Sequence, residues 1–243
     1  CCFADLDLKQ QGVIEDFQLL FYIIQPPTPE RVKYDIFDRV NRGGTPLNKQ
    51  EMRNALYRGR CTRMLDKLCC SPEFLIATGR SINKERMKDQ YVVLRAIAFL
   101  MLHRGEFKDI PALQYRGDID DFLARFMVYV NDNAPEKLIV DYENLFIRCM
   151  QISYDLLGEN GFRFSGNGIR RPINMPLFEA LSYLFSFVPE KIDYTWASRL
   201  ILDIESVKEE FDDSRYFSGN IDSTTSVSFR FDRMDKIINR IQL

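Results

Sequence analysis

Ile36-Phe37-Asp38-Arg39-Val40-Asn41-Arg42-Gly43-Gly44-Thr45-Pro46-Leu47-Asn48-Lys49-Gln50-Glu51-Met52-Arg53-Asn54-Ala55 reads as one helix ending, a glycine turn, and a second helix beginning. Adjacent Gly43 and Gly44 let the backbone take positive φ and approach a ligand closely. Asn48, with Glu51 three residues later, is a capping pair for the helix that follows. A helix start of this kind presents free N–H groups and a positive dipole end to an anion. The junction therefore predicts a phosphate contact made by Arg39, Asn41, Arg42, Gly43, Gly44 and Arg53. Arginine suits bidentate phosphate contact, and asparagine can hold a turn or read a base or ribose edge. Simpler readings stand beside these. Asn41 is equally suited to a left-handed helix C-cap. Arg53 could equally pair with an acid one turn away. Glu51 reads as a capping acceptor ahead of a catalytic carboxylate.

Outward from this junction, Phe17 to Ile24 is aromatic and β-branched and predicts a strand, closed by Pro26-Pro27. Thr28-Pro29-Glu30 then opens a helix whose apolar positions Val32, Ile36, Phe37 and Val40 share one face. After the glycine turn the pattern is nearly all helical. Helices are expected over 49–58, 60–70, 83–103, 118–130, 135–157, 177–187, 194–211 and 226–241. Loops fall at 105–117, 158–171 and 212–225. The fold class expected is α+β, predominantly α: a small strand-containing edge in residues 1–70, then a helical bundle in residues 71–243. A lone apolar strand leaves an exposed sheet edge, which proteins normally cover. A missing N-terminal segment or a partner chain is therefore expected to pair with it.

The pattern Phe37-x-Arg39-x-Asn41-x-Gly43-Gly44-x-x-Leu47-x-x-x-Glu51-x-Arg53-Asn54 resembles the central signature of the GmrSD-type domain. That family is a ParB/sulfiredoxin-like group found in type IV restriction and anti-phage proteins. Asp5 to Gln25 resembles its polar lead into a strand, and Asn174-Met175-Pro176-Leu177-Phe178-Glu179-Ala180 its later helix start. Ser223-Thr224-Thr225-Ser226 before Arg230 to Arg233 resembles its closing turn and helix. The family's Asp-Gly-Gln-Gln-Arg motif does not occur; Lys9-Gln10-Gln11-Gly12 matches neither its order nor its flanking strand. The resemblance implies the middle and C-terminal part of a protein that uses a nucleoside triphosphate with Mg²⁺ and acts in DNA restriction or phage defence. It implies that this chain contributes phosphate contacts and that the missing loop supplies the reactive groups. Whether the chain is an enzyme by itself stays open, with a non-enzymatic helical DNA-sensing or protein-docking module as the alternative.

Composition narrows the classes further. With 243 residues, 46% hydrophobic, the chain can build a proper core. A net charge of −2 argues against a general nucleic-acid clamp. Charge is uneven, however: the stretch from Arg39 to Lys67 holds eight Lys/Arg against Glu51 and Asp66. Six cysteines show no Cys-x-x-Cys pairing, so a structural zinc is not expected, nor is haem. No apolar run reaches membrane-spanning length, and the expected setting is cytoplasmic with reduced thiols.

Arg163, Arg170 and Arg171 form a second basic patch in a glycine-rich loop, followed by Asn174 as an expected N-cap. An ordinary exposed loop is the plainer alternative. Phe162 and Phe164 alternate with Arg163 and Ser165, which fits a short β-ribbon or a base-stacking surface. His103 is the only histidine, too few for a His-based nuclease or zinc centre. It is expected near the C-terminal end of its helix. Asp118, Asp120 and Asp121 read as an acidic helix start; Glu209, Glu210, Asp212 and Asp213 read as a solvated helix end. No metal site is assigned to either.

Overall fold

A computed structural model describes residues 2–21, 23, 32, 36, 39, 46–165, 170–191, 193–217 and 219–241. The chain divides into two compact units, Cys1–Thr45 and Pro46–Leu243. The division lies between Thr45 and Pro46, ahead of the boundary after residue 70 expected from the sequence. Its reason lies in the following helices, whose Cys61, Leu65 and Leu68 are wholly buried in the core of the second unit.

In the first unit, a 3₁₀ turn (Phe3–Asp5) leads to α1 (Leu8–Glu15). The Asp7 side chain caps α1, accepting from the Gln10 N–H at 2.7 Å. Gln11 Nε2 ties it back to the Leu6 carbonyl at 2.9 Å. No strand is found among the described residues: 17–21 and 23 are irregular, where the sequence predicts a strand over Phe17 to Ile24. Phe17, Leu19, Leu20, Phe21 and Ile23 are 67–81% exposed. β-propensity measures fit to a half-buried pleated surface, and these side chains lie on none. Val32, Ile36 and Arg39 are helical, on the stretch that Thr28-Pro29-Glu30 is read as opening.

The second unit is a bundle of α2 (Lys49–Leu56), α3 (Arg60–Cys69), α4 (Pro72–Ala77), α5 (Lys88–His103), α6 (Ile119–Asp132), α7 (Glu136–Leu157), α8 (Met175–Phe185), α9 (Tyr194–Asp212) and α10 (Thr224–Ile241). Polar side chains mark the starts. Asn48 accepts from the Gln50 and Glu51 N–H groups at 2.8 and 2.9 Å. Asp118, Asn174 and Asp193 cap α6, α8 and α9 in the same manner. α5 is buried on every side from Val92 to Met101, as befits a central helix. It packs against α8, α3 and α6, while α8 also meets α10 and α7, and α4 lies on α7. Among the described residues, no helix is long and apolar enough to cross a membrane.

The centre of this apolar core holds charge. Glu179 of α8 is fully buried between Arg95 of α5 and Arg230 of α10. Arg230 Nη2 reaches Glu179 Oε2 at 2.7 Å, and Arg95 Nε donates to the other oxygen. Arg95 Nη2 also donates to Asp222 at 2.6 Å, and Arg230 Nη1 to the Ile221 carbonyl at 2.6 Å. Replacing one member strands the others in low dielectric, which typically costs 3–5 kcal/mol. Glu179→Gln should therefore lower unfolding stability by about 3–5 kcal/mol in denaturant titration. A loss under about 1 kcal/mol would show the triad to be dispensable.

His103 closes α5, its ring stacked on Phe231 at 3.6 Å. Its Nε2 is buried with no hydrogen-bond partner among the described residues. Burial, with the Arg230 charge adding to it, pushes its pKa down from 6.5 to about 3. The folded state thus resists a proton that the unfolded chain accepts. This contribution is complete above pH 6.5 and is lost as pH falls toward 3. His103→Phe should remove it: about two pH units below the ordinary histidine pKa, the variant should lose roughly 2–3 kcal/mol less than wild type relative to neutral pH. Parallel pH–stability curves would contradict this account.

Candidate anion-binding site

The loop after α7 folds back on itself around Arg163. The 3₁₀ turn Gly158–Asn160 reverses the chain, and the Asn174 N–H returns to the Phe162 carbonyl at 3.0 Å. Arg163 is only 4% exposed, and its guanidinium braces both limbs. Nε donates to the Glu159 carbonyl at 3.2 Å, and Nη1 to the Arg171 carbonyl. Nη2 donates to the Thr78 carbonyl at 3.2 Å and to Ser81 Oγ. These last acceptors lie in the turn that ends α4, where Gly79 and Arg80 have φ of 58° and 51°. A Cβ on Gly79 would collide with Arg170 Nη2, so this glycine gives both the left-handed turn and room for that guanidinium.

Between this loop and α9 lies a cavity of about 660 Å³, lined by Arg163, Arg170, Arg171 and Lys208 together with Glu159, Glu205, Asn160, Ser165, Leu157 and Phe164. Glu205, Lys208 and Asp212 follow one another on one side of α9 at helical spacing. Lys208 is 5% exposed; its ammonium donates to Glu205 at 2.9 Å and to the Asn160 carbonyl at 3.4 Å. Arg171 lies over the Phe164 ring at 5.3 Å and bonds to Asp212, which raises its pKa further. Arg170 pairs with Glu159 at 2.8 Å. Burial lowers the Arg163 pKa, and the neighbouring Arg170 charge adds to the effect. The Glu159 charge opposes this shift, and carboxylates pair with Arg170, Arg171 and Lys208.

The three arginines of the second basic patch are thus brought together at one cavity. The other predicted contacts are placed differently. Arg39 is helical and exposed, whereas Asn41, Arg42, Gly43 and Gly44 lie outside the described residues. Arg53 is 1% exposed and spent on internal partners: Gln50 Oε1 at 3.0–3.1 Å, Asp120 at 2.8 Å, and the Tyr91 ring at 5.3 Å. Burial of Asp120 opposes its charge, but the bonds from Lys49 and Arg53 prevail and lower its pKa. Glu51 accepts from the Asn48 N–H and pairs with Arg86 at 2.9 Å, which lowers its pKa. It is the capping acceptor the sequence predicts. Phe162 and Phe164 offer no base-stacking face. Phe162 packs on Phe178 at 4.3 Å and Phe164 on Phe217 at 5.8 Å, both in the core. Asp118 caps α6, and among the described residues no group of three or more His, Cys, Asp or Glu could hold a metal.

Lys208, Glu205 and Glu159 escape the sequence reading. Lys208 and Glu205 sit three apart on a helix, the spacing of an ordinary exposed pair, so nothing local marks the lysine as buried. Comparisons with known protein families, with curated proteins and with solved structures find no match.

Arg163 and Arg170 should differ in kind. Arg163→Ala orphans buried acceptors and should destabilise the fold by about 2–3 kcal/mol, with faster proteolysis in 158–171. Arg170→Ala, at a half-exposed ion pair, should change stability by less than about 1 kcal/mol. Thermal melts and limited proteolysis of the two variants test the distinction, and equal losses would refute it.

Proposed function

We propose that this chain is a phosphate-binding helical module, the middle and C-terminal part of a GmrSD-like, nucleoside-triphosphate-dependent DNA restriction or anti-phage protein. The observation carrying the binding part is the cavity where Arg163, Arg170, Arg171 and Lys208 meet. Its size lies within the usual range of about 300–1,000 Å³ for small-molecule sites. Arg170 and Arg171 offer planar paired donors suited to phosphate oxygens. Arg163 and Lys208, whose donors are taken inside the fold, line the wall as buried cations. The restriction part rests on the resemblance around Gly43-Gly44. There Arg39, Asn41, Arg42, Gly43 and Gly44 remain the proposed triphosphate contacts, with Mg²⁺ bound alongside the nucleotide in the complete protein. Arg53 moves from that group to a structural role, because its donors are already taken. The chain is not proposed to hydrolyse nucleotide alone.

A concave, largely charge-compensated cavity suits a compact anion better than the long face of a duplex. Inorganic triphosphate should bind the purified chain, and Arg170→Ala/Arg171→Ala should weaken binding roughly tenfold or more. Calorimetric titration measures both. Duplex binding that falls steeply with salt and resists competition by triphosphate would instead support the DNA-sensing alternative.

A further inference from the structure

Each exposed cation at the cavity is already held by a carboxylate. Arg170 pairs with Glu159, and Arg171 with Asp212. We infer that Glu159 and Asp212 are built-in competitors that an incoming anion must displace, and that they bias this cavity toward polyphosphate groups over monoanions. This rests on the reading of the cavity as an anion site.

The two kinds of cation at the cavity differ in freedom. Arg163 and Lys208 are 4% and 5% exposed and fixed by internal bonds. They form standing walls. The Arg170–Glu159 pair is 44% and 53% exposed at its side chains, and the Arg171–Asp212 pair 40% and 33%. Ion pairs this open to water are weak and exchange partners readily. Arg171 is also steered without Asp212, since it lies over Phe164 and donates to the Ser165 carbonyl at 3.3 Å. Losing its carboxylate therefore does not release it from the cavity.

A monoanion that displaces one carboxylate exchanges like for like and gains little. A polyphosphate chain brings several charged oxygens in one molecule, so displacing the second carboxylate is intramolecular and needs no second encounter. It also reaches the buried positive charge of Arg163, which pairs with no carboxylate among the described residues, whereas that of Lys208 is offset by Glu205. The guard pairs thus raise the threshold for weak anions more than for polyphosphates. They also link occupancy to the fold: Asp212 ends α9 and Arg171 belongs to the loop before α8, so ligand exchange would uncouple the two elements.

Glu159→Gln, Asp212→Asn and the double variant test the inference by titration with inorganic triphosphate, repeated with acetate as competitor. Asp213→Asn is the control: it removes one negative charge at the same helix end from a residue outside these two pairs. The double variant should bind triphosphate roughly threefold to tenfold tighter than wild type and become sensitive to acetate. Asp213→Asn should bind as wild type does. Equal tightening by Asp213→Asn would overturn the inference, since long-range charge would then explain the effect. Unchanged or weaker binding by the double variant, with binding still lost in Arg170→Ala/Arg171→Ala, would overturn it while leaving the anion site standing. Absence of triphosphate binding to wild type would overturn both.

Discussion

Glu179, buried between Arg95 and Arg230, is the constraint on which the bundle depends. Three helices that would otherwise meet through interchangeable apolar contacts must align so that two guanidinium groups share one carboxylate. Desolvating three charges is costly, and their mutual attraction offsets that cost only when the geometry is good. Hydrophobic burial supplies most of the driving force, while the triad restricts which packing of α5, α8 and α10 is acceptable. Asp222 and the Ile221 carbonyl extend the restriction to the loop before α10. His103 is one consequence: beside Arg230 and stacked on Phe231, it stays neutral.

The candidate site lies on one flank of this frame. α8 is fixed by Glu179, and its cap Asn174 anchors the returning limb of the loop that carries Arg163, Arg170 and Arg171. α9 brings Glu205 and Lys208 to the other wall and holds Arg171 through Asp212. Gly79, at the end of α4, leaves room where a side chain would press on Arg170. The cavity is thus lined by two stretches of chain, 157–171 and 205–208, with the turn after α4 bracing Arg163, and all its cations but Arg163 are paired with carboxylates.

That assembly explains what could be read in the sequence. Local signals were strong where chemistry is local: Asn48, Asp118 and Asn174 each mark a helix start and each caps one. α4 is only six residues long and too short for periodicity, although Ser71-Pro72 was a usable start signal. α1 has no apolar face and went unread, its Asp7–Gln10 capping pair being the usable signal that was passed over. The apolar run from Phe17 carries strand propensity, but propensity without a surface to pack on does not specify a strand. The arginines of the site are neighbours in sequence and could be found together, whereas Lys208 and Glu205 arrive by tertiary folding alone. Glu179 was the signal passed over, a lone carboxylate inside an otherwise apolar stretch of α8. Arg53 erred in the other direction: its place beside the glycine turn suggested a ligand contact, while Gln50 and Asp120 already use its donors.

The most direct test of the account is a crystal structure of the chain grown with inorganic triphosphate. The account predicts the ligand in the cavity between the loop and α9, with Arg170 and Arg171 turned from Glu159 and Asp212 onto its oxygens. A cavity holding only solvent, with both ion pairs intact, would contradict it, whether or not triphosphate is held around Gly43-Gly44.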